Sequence, residues 1–147
     1  LEISTQDSAN ETLEGPVSAS GGAYSGTTGF GLGLRVGEQP TKLAVDSDGP
    51  WTITIKPVSA APQLPATTTT GTGNAVYLFS GAASTWGITY PGEGWLSVQQ
   101  WLMWGEPAPD WNEVLFAYQP YSGLVAAKAG PGVLTVQSDG AWTVARA

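Results

Sequence analysis

Five tryptophans fall within a short window: Trp86, Trp95, Trp101, Trp104 and Trp111. Tyr90, Tyr118 and Tyr121 flank them. Aromatic faces gathered in this way can stack on the C–H faces of sugar rings, with amides and acids nearby to bond the hydroxyls. Gln99, Gln100, Glu106, Asp110 and Asn112 are close enough in sequence to serve. Two other outcomes use the same residues. Indole and phenol rings carry large apolar area and fill cores, and an exposed group of them marks a protein interface. On an extended strand, Leu96, Val98, Leu102 and Trp104 share one face, and Trp95, Gln99, Trp101 and Met103 share the other. Both faces are partly apolar, so one is expected to meet a core and the other a partner. The candidate ligand or interface residues are therefore Trp95, Gln99, Trp101, Trp104, Asp110, Trp111 and Tyr118.

Other chemistries find less support. Glu93, Glu106, Asp110 and Glu113 could supply a glycosidase pair, which needs two carboxylates about 5–10 Å apart, but no surrounding signature marks them. The chain has no Cys and no His, which removes thiol nucleophiles, imidazole bases and zinc sites of the usual nitrogen and sulfur type. Asp46-Ser47-Asp48-Gly49 resembles the start of a calcium loop, yet the later ligands and closing Glu are missing. The expectation is a protein that is not an enzyme and carries no cofactor or metal.

Charge narrows the partners. Twelve acids against five bases give a formal net charge of −7. The bases Arg35, Lys42, Lys56, Lys128 and Arg146 are scattered singly, so neither nucleic acid nor an anionic membrane surface is an expected partner. No run of about 18 apolar residues is present to insert in a membrane. Only 12% of the residues are charged, and glycine numbers 20. A surface kept soluble by hydroxyls and glycine suggests an extracellular or cell-surface setting. The start at Leu1 rather than Met is what a mature form or a fragment would show.

The elements that must position these residues read as strands. Period-two alternation recurs, as in Trp51, Ile53 and Ile55 against Thr52, Thr54 and Lys56. Gly or Pro interrupts most helical windows. The phrase LAVDSDGPWT (43–52) returns as LTVQSDGAWT (134–143), with seven positions identical. Asp and Gly suit a tight turn, so both copies predict a hairpin with Gly49 and Gly140 at positive φ. Trp51 and Trp142 are then equivalent buried anchors. A weaker match upstream pairs Tyr24-Ser25-Gly26 with Tyr121-Ser122-Gly123.

Three segments follow: a first β unit over 1–57, a Pro/Thr-rich linker or crossover over 58–73, and a complete second β unit over 74–147. The first unit lacks counterparts for the strands that open the second. A half-sandwich leaves an open edge and an uncovered apolar face. Either the two units close one joint sandwich, or something supplied in trans completes the first. The stretch LEISTQ (1–6) is a candidate to pair with a sheet edge, within the chain or in a neighbour. The expected fold is all-β, an antiparallel sandwich of Greek-key or jelly-roll kind built from two related units.

The second unit resembles a repeat module of secreted and cell-surface proteins in actinobacteria and haloarchaea. The residues that carry the resemblance are Asn74 to Leu78, the strand Trp95 to Leu102, Tyr121-Ser122-Gly123, and the closing Ser138 to Val144. It implies a β-sandwich on exported proteins and no catalytic activity. The insertion WLMWGEPAPDWNE (101–113) departs from the module's pattern, so any activity there would be particular to this chain. The functional expectation is a non-catalytic structural or adhesive module that binds other protein surfaces or itself, with strand addition as a route to self-assembly. The alternative is a carbohydrate-binding module that takes polysaccharide on the Trp-rich 86–111 region.

Overall fold

Most of the alternating segments become strands in a computed structural model of the chain, which describes residues 1–20, 22–35, 37–92, 94–102 and 110–146. Strands β1 (Glu2–Gln6), β2 (Thr12–Ser18) and β3 (Lys42–Asp46) form a three-stranded antiparallel sheet in the order β2-β1-β3. Two four-stranded sheets follow. One contains β5 (Ala75–Phe79), β7 (Leu96–Leu102), β8 (Asp110–Ala117) and β10 (Gly132–Ser138), in the order β5-β10-β7-β8. The other contains β4 (Thr68–Thr72), β6 (Ser84–Tyr90), β9 (Tyr121–Ala127) and β11 (Ala141–Arg146), in the order β4-β11-β6-β9. The fold is all-β, and this pair of strand orders is that of a jelly roll, with its first strand beside its last.

The core lies between the two larger sheets. Leu96, Val98, Leu102, Leu134 and Val136 face Trp86, Ile88, Tyr90, Trp142 and Val144. Phe79 meets Trp86 edge-on at 5.9 Å between centroids, and Tyr77 meets Trp142 edge-on at 6.4 Å, arrangements that the ring quadrupoles favour. The opposite face of the β4-β11-β6-β9 sheet carries hydroxyls: Thr70, Thr143, Thr89 and Ser122 stand side by side across its four strands. This is the period of two expressed as apolar in and polar out. Among the described residues no helix is long and apolar enough to cross a membrane.

The three-stranded sheet repeats part of the jelly roll. Its order β3-β1-β2 matches β10-β7-β8, and the registers match as well. Ile3 pairs with Val45 and Val17, as Val98 pairs with Val136 and Leu115. Thr5 pairs with Leu43 and Glu14, as Gln100 pairs with Leu134 and Asn112. A register shift interrupts both ladders at corresponding places, between Ile3 and Thr5 and between Val98 and Gln99, and the small sheet adds a second between Thr5 and Gln6; such bulges re-aim side chains. Tyr24 and Tyr121 lie back over the glycines two residues on: a Cβ at Gly26 would be 2.6 Å from the Tyr24 hydroxyl, and one at Gly123 2.8 Å from that of Tyr121. The first unit is thus the counterpart of β7 to β11, without those of β4, β5 and β6.

Four expectations need correction. The Ser-Asp-Gly turns are not hairpins, because β10 and β11 belong to different sheets. The turn is an arch between layers, so the strands it joins need no twist-matched primed turn, and neither Gly49 nor Gly140 is among the glycines of positive φ. The serine holds the arch instead. Ser47 Oγ accepts from Gly49 N at 3.3 Å and donates to Gly49 O at 3.1 Å, and Ser138 does the same to Gly140 at 3.1 and 3.0 Å. Second, Trp51 is not a buried anchor: it is 55% exposed and residues 51–57 form no strand, whereas Trp142 on β11 is 3% exposed. Third, the tract over 58–73 is not a linker throughout, since Thr68–Thr72 is β4 and Leu64 is buried in the core. Fourth, residues 1–6 are not free to complete a neighbour's sheet: of the two pairings open to them, the one within the chain is formed, with β1 the middle strand of its sheet and bonded on both edges.

Candidate functional site

The aromatic cluster divides according to strand face. Trp86 points inward from β6 and is core. On β7 and β8 the outward residues include Trp101 beside Trp111 and Gln99 beside Glu113. Trp101 and Trp111 sit at 6.4 Å with their planes 31° apart. Trp95 lies 6.1 Å from Phe116, whose ring meets Tyr118 edge-on at 5.0 Å. The result is two aromatic groups with the Gln99–Glu113 pair between them. Trp111 is 54% and Tyr118 69% exposed.

The groups differ in how firmly they are held. The Trp101 indole N–H donates to Thr135 Oγ1 at 3.0 Å. Its ring is capped by the first unit, for a Cβ at Gly33 would lie 2.7 Å from Trp101 Cζ3. The segment through Gly29, Leu32 and Gly33 therefore seats the first unit on the outer face of β7 and β10, and Trp101 is a contact between units as much as a free surface. Asp110 forms an exposed ion pair with Lys128 at 2.9 Å, a kind that contributes roughly 0–1 kcal/mol. Trp104 lies outside the described residues, as do Met103, Glu93 and Glu106. Asp110 and Glu113 are the described members of the proposed acid pair, and both are exposed. Among the described residues no group of three or more acids gathers as a metal site would require.

Gln100 and Asn112 are not ligand groups on this face. Gln100 is fully buried; its Nε2 donates to Lys128 O at 3.2 Å, and its Oε1 accepts from Lys128 N at 2.9 Å and from Asn112 Nδ2 at 3.1 Å. It fastens β7 to the chain leaving β9. Gln100→Leu removes these three hydrogen bonds and is expected to lower stability by about 1–3 kcal/mol, read as a shift in the urea midpoint at unchanged slope. An unshifted midpoint would show that water replaces the amide.

A second site was not named from the sequence. Along the first unit runs a groove of about 840 Å³. Its floor is Ile3, Val17 and Leu43 of the small sheet with Leu1 beside them, and its walls are residues 22–28 and Phe30, which follow β2, and residues 47–55, which follow β3 at the opposite edge of that sheet. Phe30, Trp51 and Ile55 are large apolar residues exposed there. The signal was present in the sequence as the missing opening strands, but the repeated Trp phrase pointed to burial. At one end Tyr24 leans on Asn74: burial raises its phenol above the ordinary value, and the Asn74 side chain opposes that rise. Thr27 N donates to Asn74 O at 3.2 Å, tying this wall to the second unit.

Comparison with protein-family models, with curated proteins and with solved structures found no match.

Proposed function

We propose that the chain is a non-catalytic structural or adhesive module of the cell surface or extracellular space, which attaches to other protein surfaces through its first unit. The observation that carries this reading is the groove: an apolar floor and walls that the second unit, built to the same register, keeps covered. Large apolar side chains left exposed together in one groove, here Phe30, Trp51 and Ile55, mark an interaction site. The low charge and hydroxyl-rich outer sheet support the extracellular setting, as does the resemblance of the closing motif to exported modules.

A second reading has its own observation. Trp111, Phe116 and Tyr118 present rings to solvent on one sheet face with Gln99 and Glu113 between groups, a layout suited to stacking along a polysaccharide chain.

Bead retention separates the two. The intact chain is expected to be held on protein-coated beads, and Trp51→Lys, at an exposed position, to be held at least about tenfold less, a loss of roughly 1.4 kcal/mol. Retention on polysaccharide beads that vanishes in Trp111→Ala and Tyr118→Ala would establish the second reading instead. Turnover of a glycoside panel by the intact chain would overturn the non-catalytic assignment.

A further inference from the structure

The second unit shows what belongs in the groove of the first. By register, the floor residues Leu1, Ile3, Val17 and Leu43 correspond to Leu96, Val98, Leu115 and Leu134. In the second unit these share the core with Trp86, Ile88 and Tyr90 of β6. There β6 runs between β11 and β9, hydrogen-bonded to both. The first unit has the counterparts of those two neighbours in the groove's walls: residues 50–55, at the spacing of the repeated phrase, stand for β11, and the stretch that starts at Tyr24 stands for β9. It has no strand between them.

The backbone agrees with the side chains. No backbone group of residues 51–56 or 22–26 is hydrogen-bonded to any other described residue. In the second unit the counterparts of residues 24–26 and 51–55, Tyr121 to Gly123 of β9 and Trp142 to Arg146 of β11, are paired in ladders. Two segments outside any sheet, with open N–H and C=O groups and flanking an apolar floor, form a template for strand addition.

We infer that the groove accepts one extended strand from a partner, with apolar side chains at alternate positions in the pattern of Trp86-x-Ile88-x-Tyr90, inserted between residues 22–28 and 51–55. The inserted strand takes the place of a β6 counterpart: its alternate side chains cover Leu1, Ile3 and Leu43, and its backbone bonds to both walls. A second folded copy cannot supply it from β6, which is buried and bonded on both edges, nor from β1, which is bonded to β2 and β3. This inference rests on the protein-binding reading above and gives that reading a partner class.

The test uses the intact chain and a synthetic peptide covering residues 82–91, AASTWGITYP, with lysines added at one end for solubility. Binding is followed by hydrogen exchange of the chain's backbone amides. Saturable protection of residues 51–56 and 22–26, at least about tenfold, is expected, together with a rise in melting temperature. A peptide with Ile88→Lys puts a charge against the floor and is expected to bind at least about tenfold more weakly. So is the parent peptide on the Trp51→Lys chain, whose own melting curve shows that it folds. Absence of protection, or equal protection by the Ile88→Lys peptide, overturns the inference. Protection of the same amides in peptide-free protein, growing with concentration, also overturns it, since a second copy then fills the groove. If bead retention depends on Trp51 while the peptide gives no protection, the adhesive reading stands and the strand does not. If the peptide protects but Trp51→Lys leaves retention unchanged, the acceptor stands and the adhesive reading does not.

Discussion

Trp142→Ala is expected to cost about 3–5 kcal/mol of folding stability, while Trp51→Ala, at the same place in the repeated phrase, costs under about 1 kcal/mol. The two tryptophans have the same flanking letters and opposite surroundings. Trp142 is covered by β4 on one side, with its indole N–H donating to Gly73 O at 2.9 Å, and by the edge of Tyr77 at 6.4 Å. Removing the ring leaves a cavity in the packed layer between sheets and an orphaned carbonyl. Trp51 has none of these neighbours, because the first unit has no β4 or β5 counterpart, and it is 55% exposed. Truncating it removes surface that water already reaches. Urea unfolding of both variants measures the difference. Equal losses would mean that Trp51 is covered in solution by the chain itself, and the open groove would have to be abandoned.

Gly71→Ala is expected to cost about 2–3 kcal/mol, through overpacking against the same ring. Gly71 pairs with Trp142 across β4 and β11. A Cβ there would lie 2.3 Å from Trp142 Cζ2, 2.8 Å from Cε2 and 2.9 Å from Cη2. The ring has little room to yield, since turning away breaks its bond to Gly73 O and its contact with Tyr77. Two accommodations remain: the indole shifts at the expense of its partners, or the edge strand β4 loosens. Hydrogen exchange of Thr68–Thr72 distinguishes them. In a Trp142→Phe background, where the missing second ring frees the space over Gly71, the same substitution is expected to cost at least about 1 kcal/mol less. Additive losses would show that Gly71 is required for the backbone of β4 and not for the ring above it.

Strand content and the two related units were legible because both rest on local pattern. Alternation of apolar and hydroxyl residues favours an extended chain whose two faces differ in polarity, wherever in the fold it comes to lie. Pairing was less legible. Ser-Asp-Gly between two alternating runs satisfies a hairpin and an inter-sheet arch alike, and the choice depends on which strands flank each run. The tract over 58–73 is rich in Pro and Thr as a linker would be, yet its Thr68–Thr72 alternates against β11 and so becomes an edge strand.

The candidate site was legible in composition and not in orientation. Trp111 and Tyr118 are exposed as an interface would need, but Phe116 was overlooked and Gln100 and Asn112 were assigned to the wrong side. The bulge between Val98 and Gln99 explains part of this. It shifts β8 by a residue, so simple alternation carried through it puts Phe116 and its neighbours on the wrong faces.

From the sequence alone follow the all-β class, the repeated Trp phrase and the deficit of strands before the first copy of it, because each depends on residues near one another in the chain. Tertiary structure alone decided that Trp142 is core and Trp51 is groove wall. A side chain is buried by what packs over it, and the atoms that cover Trp142 come from Gly71, Gly73 and Tyr77, some 65–71 residues away along the chain. The first unit has no such strands to bring, so the same ten-residue phrase ends in water.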